Sequence, residues 1–128
     1  EAGHLEAAFR LRKQCLLNDP MHVQFVLGVP GGMSGELPNL VHLVQLLGTY
    51  GTGFHWGVAG VGRYQLPLAA HAILMGGHVR VGFEDNIFYT KGVVAKSNAQ
   101  LVERVARLAR ELGREVATPA QARKMLGL

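Results

Sequence analysis

Arg80, Glu84, Asp85 and Asn86 crowd a cation, two carboxylates and an amide into the short stretch Gly76-Gly77-His78-Val79-Arg80-Val81-Gly82-Phe83-Glu84-Asp85-Asn86. Such a concentration of charged and polar groups beside an apolar strand could carry part of an active site. No other segment places this much polar chemistry beside an apolar run. Strand alternation over residues 78–83 sets Arg80, Gly82 and Glu84 on one face and Val79, Val81 and Phe83 on the other. The apolar face would pack on helices. Glu84, Asp85 and Asn86 would then lie at the C-terminal end of the strand, where α/β-barrel enzymes keep their chemistry. An ion pair that only braces a turn, or a surface strand, would use the same residues, so spacing leaves those readings open.

Two glycine-rich loops are further candidates: Pro30-Gly31-Gly32-Met33-Ser34-Gly35 and Gly60-Val61-Gly62-Arg63. Without a side chain, Gly31, Gly32, Gly60 and Gly62 let backbone amides approach a phosphate or an oxyanion. Tight turning alone would also account for them. Gly60-Val61-Gly62 opens a dinucleotide fingerprint, with Glu84 roughly 20 residues on, but Gln65 stands in the place of the third glycine. Six histidines (His4, His22, His42, His55, His71 and His78) form no His-x-His, His-x-x-x-His or Cys/His cluster. His22, His55 and His78 fall near the starts of strands, the end of a barrel away from its chemistry. No G-x-S-x-G elbow or P-loop is present, and Ser34 and Ser97 have no evident base partner.

Positioning these groups requires alternating elements. Spacings of three and four predict a helix over 5–17, with Cys15 packed near Leu11, Leu16 and Leu17. A nearly continuous apolar run predicts a buried strand over 22–29, followed by a helix over 37–47 with Leu40, Val41, Val44 and Leu47 inward. A second strand is expected near 54–59, then a helix from Pro67 to Met75 stopped by Gly76-Gly77. The third strand covers 78–83, and 85–96 reads as irregular or short helical structure. Ser97 or Asn98 starts a long helix with Leu101, Val105, Leu108 and Leu112 as its buried stripe. Thr118-Pro119-Ala120-Gln121 is a capping box that starts a last helix over 119–126. The order predicts a parallel sheet with helices outside. Three parallel strands leave apolar edges exposed, so the chain is expected to be one partial domain, the last part of a (β/α)8 barrel of about 250 residues, rather than an open doubly wound sheet.

With 48% hydrophobic and 17% charged residues and 17 glycines, the 128-residue chain has the composition of an α/β domain. The charge of +4 suits a polyanionic ligand such as a nucleotide or coenzyme A, although many basic residues belong to C-terminal helices with acids interleaved. No aromatic-basic interleaving supports nucleic-acid binding, and no apolar run is long enough for a membrane span. A single cysteine, Cys15, excludes an internal disulfide. With no visible signal peptide, this suggests a cytoplasmic protein. The missing initiator Met allows a cut or incomplete N-terminus.

The stretch 76–86 resembles the signature of the β-keto acid cleavage enzymes, whose founding activity is 3-keto-5-aminohexanoate cleavage. The similarity extends through Gly28-Val29-Pro30-Gly31-Gly32-Met33, Gly60-Val61-Gly62-Arg63 and Leu112-Gly113-Arg114-Glu115-Val116-Ala117-Thr118-Pro119. It implies the C-terminal half of a TIM barrel that uses zinc to condense a β-keto acid with acetyl-CoA, releasing acetoacetate and a new CoA thioester. By that resemblance Glu84 is a zinc ligand, Asp85 the catalytic aspartate and Arg80 its partner; two histidines of an earlier His-x-His are absent here. A homo-oligomer is expected, with a tetramer as one candidate. Two other readings compete: a non-catalytic half-barrel stable only as an assembly, and a stand-alone nucleotide-binding α/β domain.

Overall fold

Alternation of exposed and buried side chains sets the first strand. In β1 (His22–Leu27), Phe25 and Leu27 are buried while His22, Gln24 and Val26 are exposed. β1 is preceded by α1 (Ala2–Lys13) and followed by α2 (Leu37–Gly48), β2 (His55–Gly60), a single 3-10 turn at Gly62–Tyr64 and α3 (Gln65–Leu74). Next come β3 (His78–Arg80), the hairpin strands β4 (Phe88–Thr90) and β5 (Val93–Val94), and two last helices, α4 (Asn98–Glu111) and α5 (Pro119–Leu126). These bounds come from a computed structural model that describes all of residues 1–128.

β1, β2 and β3 form a parallel sheet in that order. Phe25, Val58 and Val79 line up across one face, which carries the core. Leu5 and Phe9 of α1, Leu40, Leu43 and Leu47 of α2, and Leu68 and Ala72 of α3 complete that core. Phe9 stacks on Tyr50 with ring centroids 4.1 Å apart and meets Phe54 edge-on at 4.8 Å, which ties α1 to the chain between α2 and β2. The opposite face carries His22, Gln24 and Val26, each exposed. Such a sheet is compatible with part of a barrel.

The alternating α/β order holds, and so do several termini. Ser97 Oγ accepts the Gln100 amide at 3.2 Å at the start of α4. Thr118 and Gln121 form the expected capping box at the start of α5. Other expectations are corrected. β3 stops at Arg80 instead of Phe83, because Asp85 and Asn86 both donate their backbone N–H to the Gly82 carbonyl and curl the chain into a turn. Residues 85–96 contain an antiparallel hairpin instead of helix. Along the α4 stripe burial declines toward the C-terminus: Leu101 is buried, Val105 and Leu108 are half-buried, and Leu112 is exposed.

Cys15 is exposed rather than packed, because α1 ends at Lys13. Its N–H bonds to the Arg12 carbonyl and that of Leu16 to the Leu11 carbonyl, a Schellman ending with Cys15 at φ 57°. α3 and α4 end in the same way, with Gly76 and Gly113 at the equivalent position.

Candidate active site at the end of the third strand

Arg80 is the last residue of β3 and pairs in register with Ala59 of β2, which pairs with Val26 of β1. It therefore belongs to the face opposite the core, while its neighbour Val79 packs into the core. The turn that follows brings both carboxylates back to it. Arg80 Nε donates to Asp85 Oδ2 and Nη2 to Asp85 Oδ1, each at 3.0 Å. Nη2 also lies 2.8 Å from Glu84 Oε2. The Asp85 side chain is 6% exposed and that of Glu84 is 84% exposed. The two acids thus have different environments: one buried and clasped by a two-point guanidinium contact, the other reaching into open space. The hydrogen bonds from Arg80 to Asp85, then the charges of Asp85 and Glu84, raise the guanidinium pKa above its ordinary value. Arg80 is a fixed cation held by two charge-assisted hydrogen bonds to Asp85.

The turn is held from three sides. Gln65, buried at the start of α3, donates from Nε2 to the Gly82 carbonyl at 3.1 Å, and its Oε1 accepts from Asn86 Nδ2 at 3.4 Å. Asn98, the first residue of α4, accepts the Phe83 N–H at 2.8 Å. The Gly62 N–H bonds to the Asp85 carbonyl at 2.7 Å, so the loop after β2 touches the catalytic candidate directly. Asn86 closes an Asx turn, accepting the Phe88 N–H at 3.1 Å and donating to the Phe88 carbonyl at 2.6 Å. The roles of Gln65 and Asn98 are not legible in the sequence. Gln65 stands out there only as the residue that breaks the dinucleotide fingerprint, and Asn98 only as a cap candidate.

The four glycines at 31, 32, 60 and 62 separate into three kinds. A Cβ on Gly60 would meet the backbone of Tyr64 at 2.5 Å and that of Gln65 at 2.9 Å, so close approach of the start of α3 accounts for this glycine. The Tyr64 ring likewise occupies the Cβ positions of Gly28 and Gly35. Gly31 (φ 85°) and Gly62 (φ 58°) are glycine for their backbone angles and have open space around them. At Gly32 the surroundings allow ordinary contact. Open space where a ligand could approach is therefore found at 31 and 62, not at 60.

Three histidines meet at the other end of the sheet. His78 lies 5.8 Å, ring centroid to centroid, from both His22 and His55. Burial, then the neighbouring His22, His55 and Arg114, lower the His78 pKa below its ordinary value. This row sits at the strand starts, and His78 lies two residues before Arg80 on the same face of β3. No group of three or more His, Cys, Asp or Glu side chains in the chain is arranged to hold a metal ion. Glu84 offers one exposed carboxylate with no second donor beside Asp85, which Arg80 already engages through both oxygens. These residues alone therefore do not fit a zinc site. No helix is long and apolar enough to cross a membrane.

The family model of the beta-keto acid cleavage enzymes matches residues 1–128. The chain is 53% identical over its full length to the 3-keto-5-aminohexanoate cleavage enzyme of Fusobacterium nucleatum, covering 45% of that protein. It is 51% identical over 97% of its length to the enzyme of the same name from Acetoanaerobium sticklandii, covering 44% of it. A 3-oxoadipate:acetyl-CoA acetyltransferase of Cupriavidus necator is 43% identical over 88% of this chain and 39% of the relative. The chain thus spans less than half the length of the curated relatives it matches. A match that runs unbroken through the Arg80–Asp85 turn, both glycine loops and the tail places the chain in the β-keto acid cleavage enzyme family.

Proposed function

We propose that the complete protein is an enzyme that exchanges the acetyl-CoA carbon skeleton with a β-keto acid, yielding acetoacetate and a new acyl-CoA. It would act on a TIM barrel of which these residues form the C-terminal half. The observation that carries this reading is the buried Asp85 carboxylate, clasped by Arg80 at the C-terminal end of a parallel strand. Support comes from relatives whose names include acetyl-CoA as co-substrate.

The chemistry assigned to these residues is proton removal. Carbon–carbon exchange in a β-keto acid needs a base beside the carbon adjacent to the keto group. Asp85 would take that proton: both of its oxygens accept from Arg80, yet each keeps a lone pair. Arg80 would hold the carboxylate in place, and Gln65, Asn98 and Gly62 would fix the turn that carries it. Zinc is expected as a cofactor, with Glu84 as one ligand and other donors from outside these residues. An assembly of identical subunits, such as a tetramer, belongs to the same proposal.

Two measurements test this on the full-length protein. Purified, zinc-loaded protein mixed with acetyl-CoA and a panel of β-keto acids is expected to release acetoacetate; none across the panel would reject the reaction. Glu84→Ala is expected to lower bound zinc per chain, and unchanged zinc content would remove Glu84 from the ligand set.

A further inference from the structure

Three glycines from two loops leave their side-chain space to one residue, Tyr64. A Cβ on Gly28 would fall 2.7 Å from Tyr64 Cδ2, and one on Gly35 would fall closer still to the same ring. The Tyr64 backbone blocks position 60 in the same way. Gly28 follows β1, Gly35 precedes Glu36 at the start of α2, and Gly60 ends β2. Tyr64 is therefore keyed into the exits of two strands at once. Arg63 completes the contact: its guanidinium lies 4.8 Å over the Tyr64 ring, donates to Tyr64 Oη at 2.8 Å and reaches Glu36 at 3.8 Å. Inside the loop, the Gly28 N–H donates to the Met33 carbonyl and the Gly32 N–H to the Val29 carbonyl. The loop is thus fixed at both ends, while Pro30, Gly31, Gly32 and Ser34 between them stay exposed.

The Asp85 turn itself does not need this ring, because Arg80, Gln65 and Asn98 already hold it. What Tyr64 adds is a fixed relation between that turn and the loop at 29–34. Gly62, two residues before Tyr64, donates its N–H to the Asp85 carbonyl, and the parallel strands put loop and turn at the same end of the sheet. Resting on the reaction proposed above, we infer that Tyr64 is a positioning residue: its ring holds the loop at 29–34 in place relative to the Asp85 turn, so that the exposed backbone at Gly31 and Gly32 forms a standing wall of the substrate site. Without the ring, the space beside Gly28 and Gly35 is empty and the loop can leave its position. Apparent substrate affinity then falls in proportion to the time the loop spends out of place.

The test uses the full-length protein, with steady-state kinetics of acetoacetate formation and amide hydrogen exchange read by mass spectrometry. Tyr64→Leu should raise KM for at least one of the two substrates about tenfold, while kcat falls less than about threefold because the base is untouched. Exchange across residues 28–35 should speed up by about tenfold or more, with β2 keeping its protection. Tyr64→Phe keeps the ring and loses only the hydroxyl that receives Arg63, so it should restore most of the KM and the slow exchange. Gly35→Ala leaves the ring intact but displaces it, and should reproduce the KM rise. Slow exchange at 28–35 in Tyr64→Leu, or fast exchange there with both KM values unchanged, would overturn the assignment. So would a Tyr64→Phe loss as large as that of Tyr64→Leu, or loss of protection in β2 as well, which marks a general packing defect. If wild type forms no acetoacetate, the proposed reaction falls, and the exchange comparison still decides whether Tyr64 holds the loop.

Discussion

The turns that follow β2 and β3 touch each other, yet they are shaped by opposite kinds of force. After β2, the chain at Gly60 is shaped by exclusion: α3 begins so close that the Tyr64 backbone occupies the space of any Cβ. After β3, the chain from Gly82 to Asn86 is shaped by attraction, through the Arg80 clasp and the hydrogen bonds of Gln65, Asn98 and Gly62. The first turn can be damaged by adding atoms and the second by removing polar ones. A rigid steric turn thus serves as the abutment for a polar one, since Gly62 reaches the Asp85 carbonyl only because Gly60 lets α3 start where it does.

The largest expected effect tests the polar side. Asp85→Asn keeps the size of the side chain and removes its basicity, so acetoacetate formation by the full-length protein should fall by about 10²–10⁴-fold. Acetoacetate assays read the outcome, and loss of less than about tenfold would leave Asp85 as a brace instead of a base. On the steric side, Gly60→Ala must push against backbone and should lower unfolding free energy by about 2–4 kcal/mol. Gly31→Ala meets no neighbour and carries only the backbone-angle penalty, about 1 kcal/mol. Urea unfolding of the two variants measures this difference, and equal losses would contradict the division between close approach and backbone angle.

A smaller effect should run in the opposite direction. Cys15 holds the left-handed position that glycine takes at the equivalent ends of α3 and α4. Cys15→Gly should raise stability by about 0.5–1 kcal/mol, seen as a higher unfolding midpoint. The smallest prediction concerns pH. The folded-state pKa of His78 lies below its ordinary value of 6.5, so the folded chain binds fewer protons than the unfolded one as pH falls through that value. Its contribution is therefore complete above about pH 6.5 and is lost as pH drops toward the folded pKa. His78→Leu should flatten the fall in stability between about pH 7 and pH 5, and an unchanged slope would assign that fall to other groups.

Much of the local structure could be read from residues near one another. Ser97 with Gln100, and Thr118-Pro119 with Gln121, announce helix starts because the capping partners are three residues apart. The apolar run of β1 announces a strand because its partners need only be apolar. The hairpin at 88–94 was not legible: its alternation is short and its strands pair over a few exposed residues. Nor was the early end of β3, since the Gly82 carbonyl that captures Asp85 and Asn86 competes on equal terms with strand pairing until the neighbouring elements are placed.

Proximity along the chain set the inventory of the site. Arg80, Glu84 and Asp85 are close along the chain, so any compact turn brings the two acids within reach of the guanidinium, and the order of elements made the sheet parallel. Which acid is buried and which is free was left to long-range packing, because burial depends on residues far away in sequence. Gln65 and Asn98 lock the turn from α3 and α4, closing Asp85 in while Glu84 faces outward. The same long-range packing decided that Gly60 serves the start of α3 while Gly31 and Gly62 retain open space. Spacing sets which groups can meet, whereas exposure and free volume are properties of the packed chain.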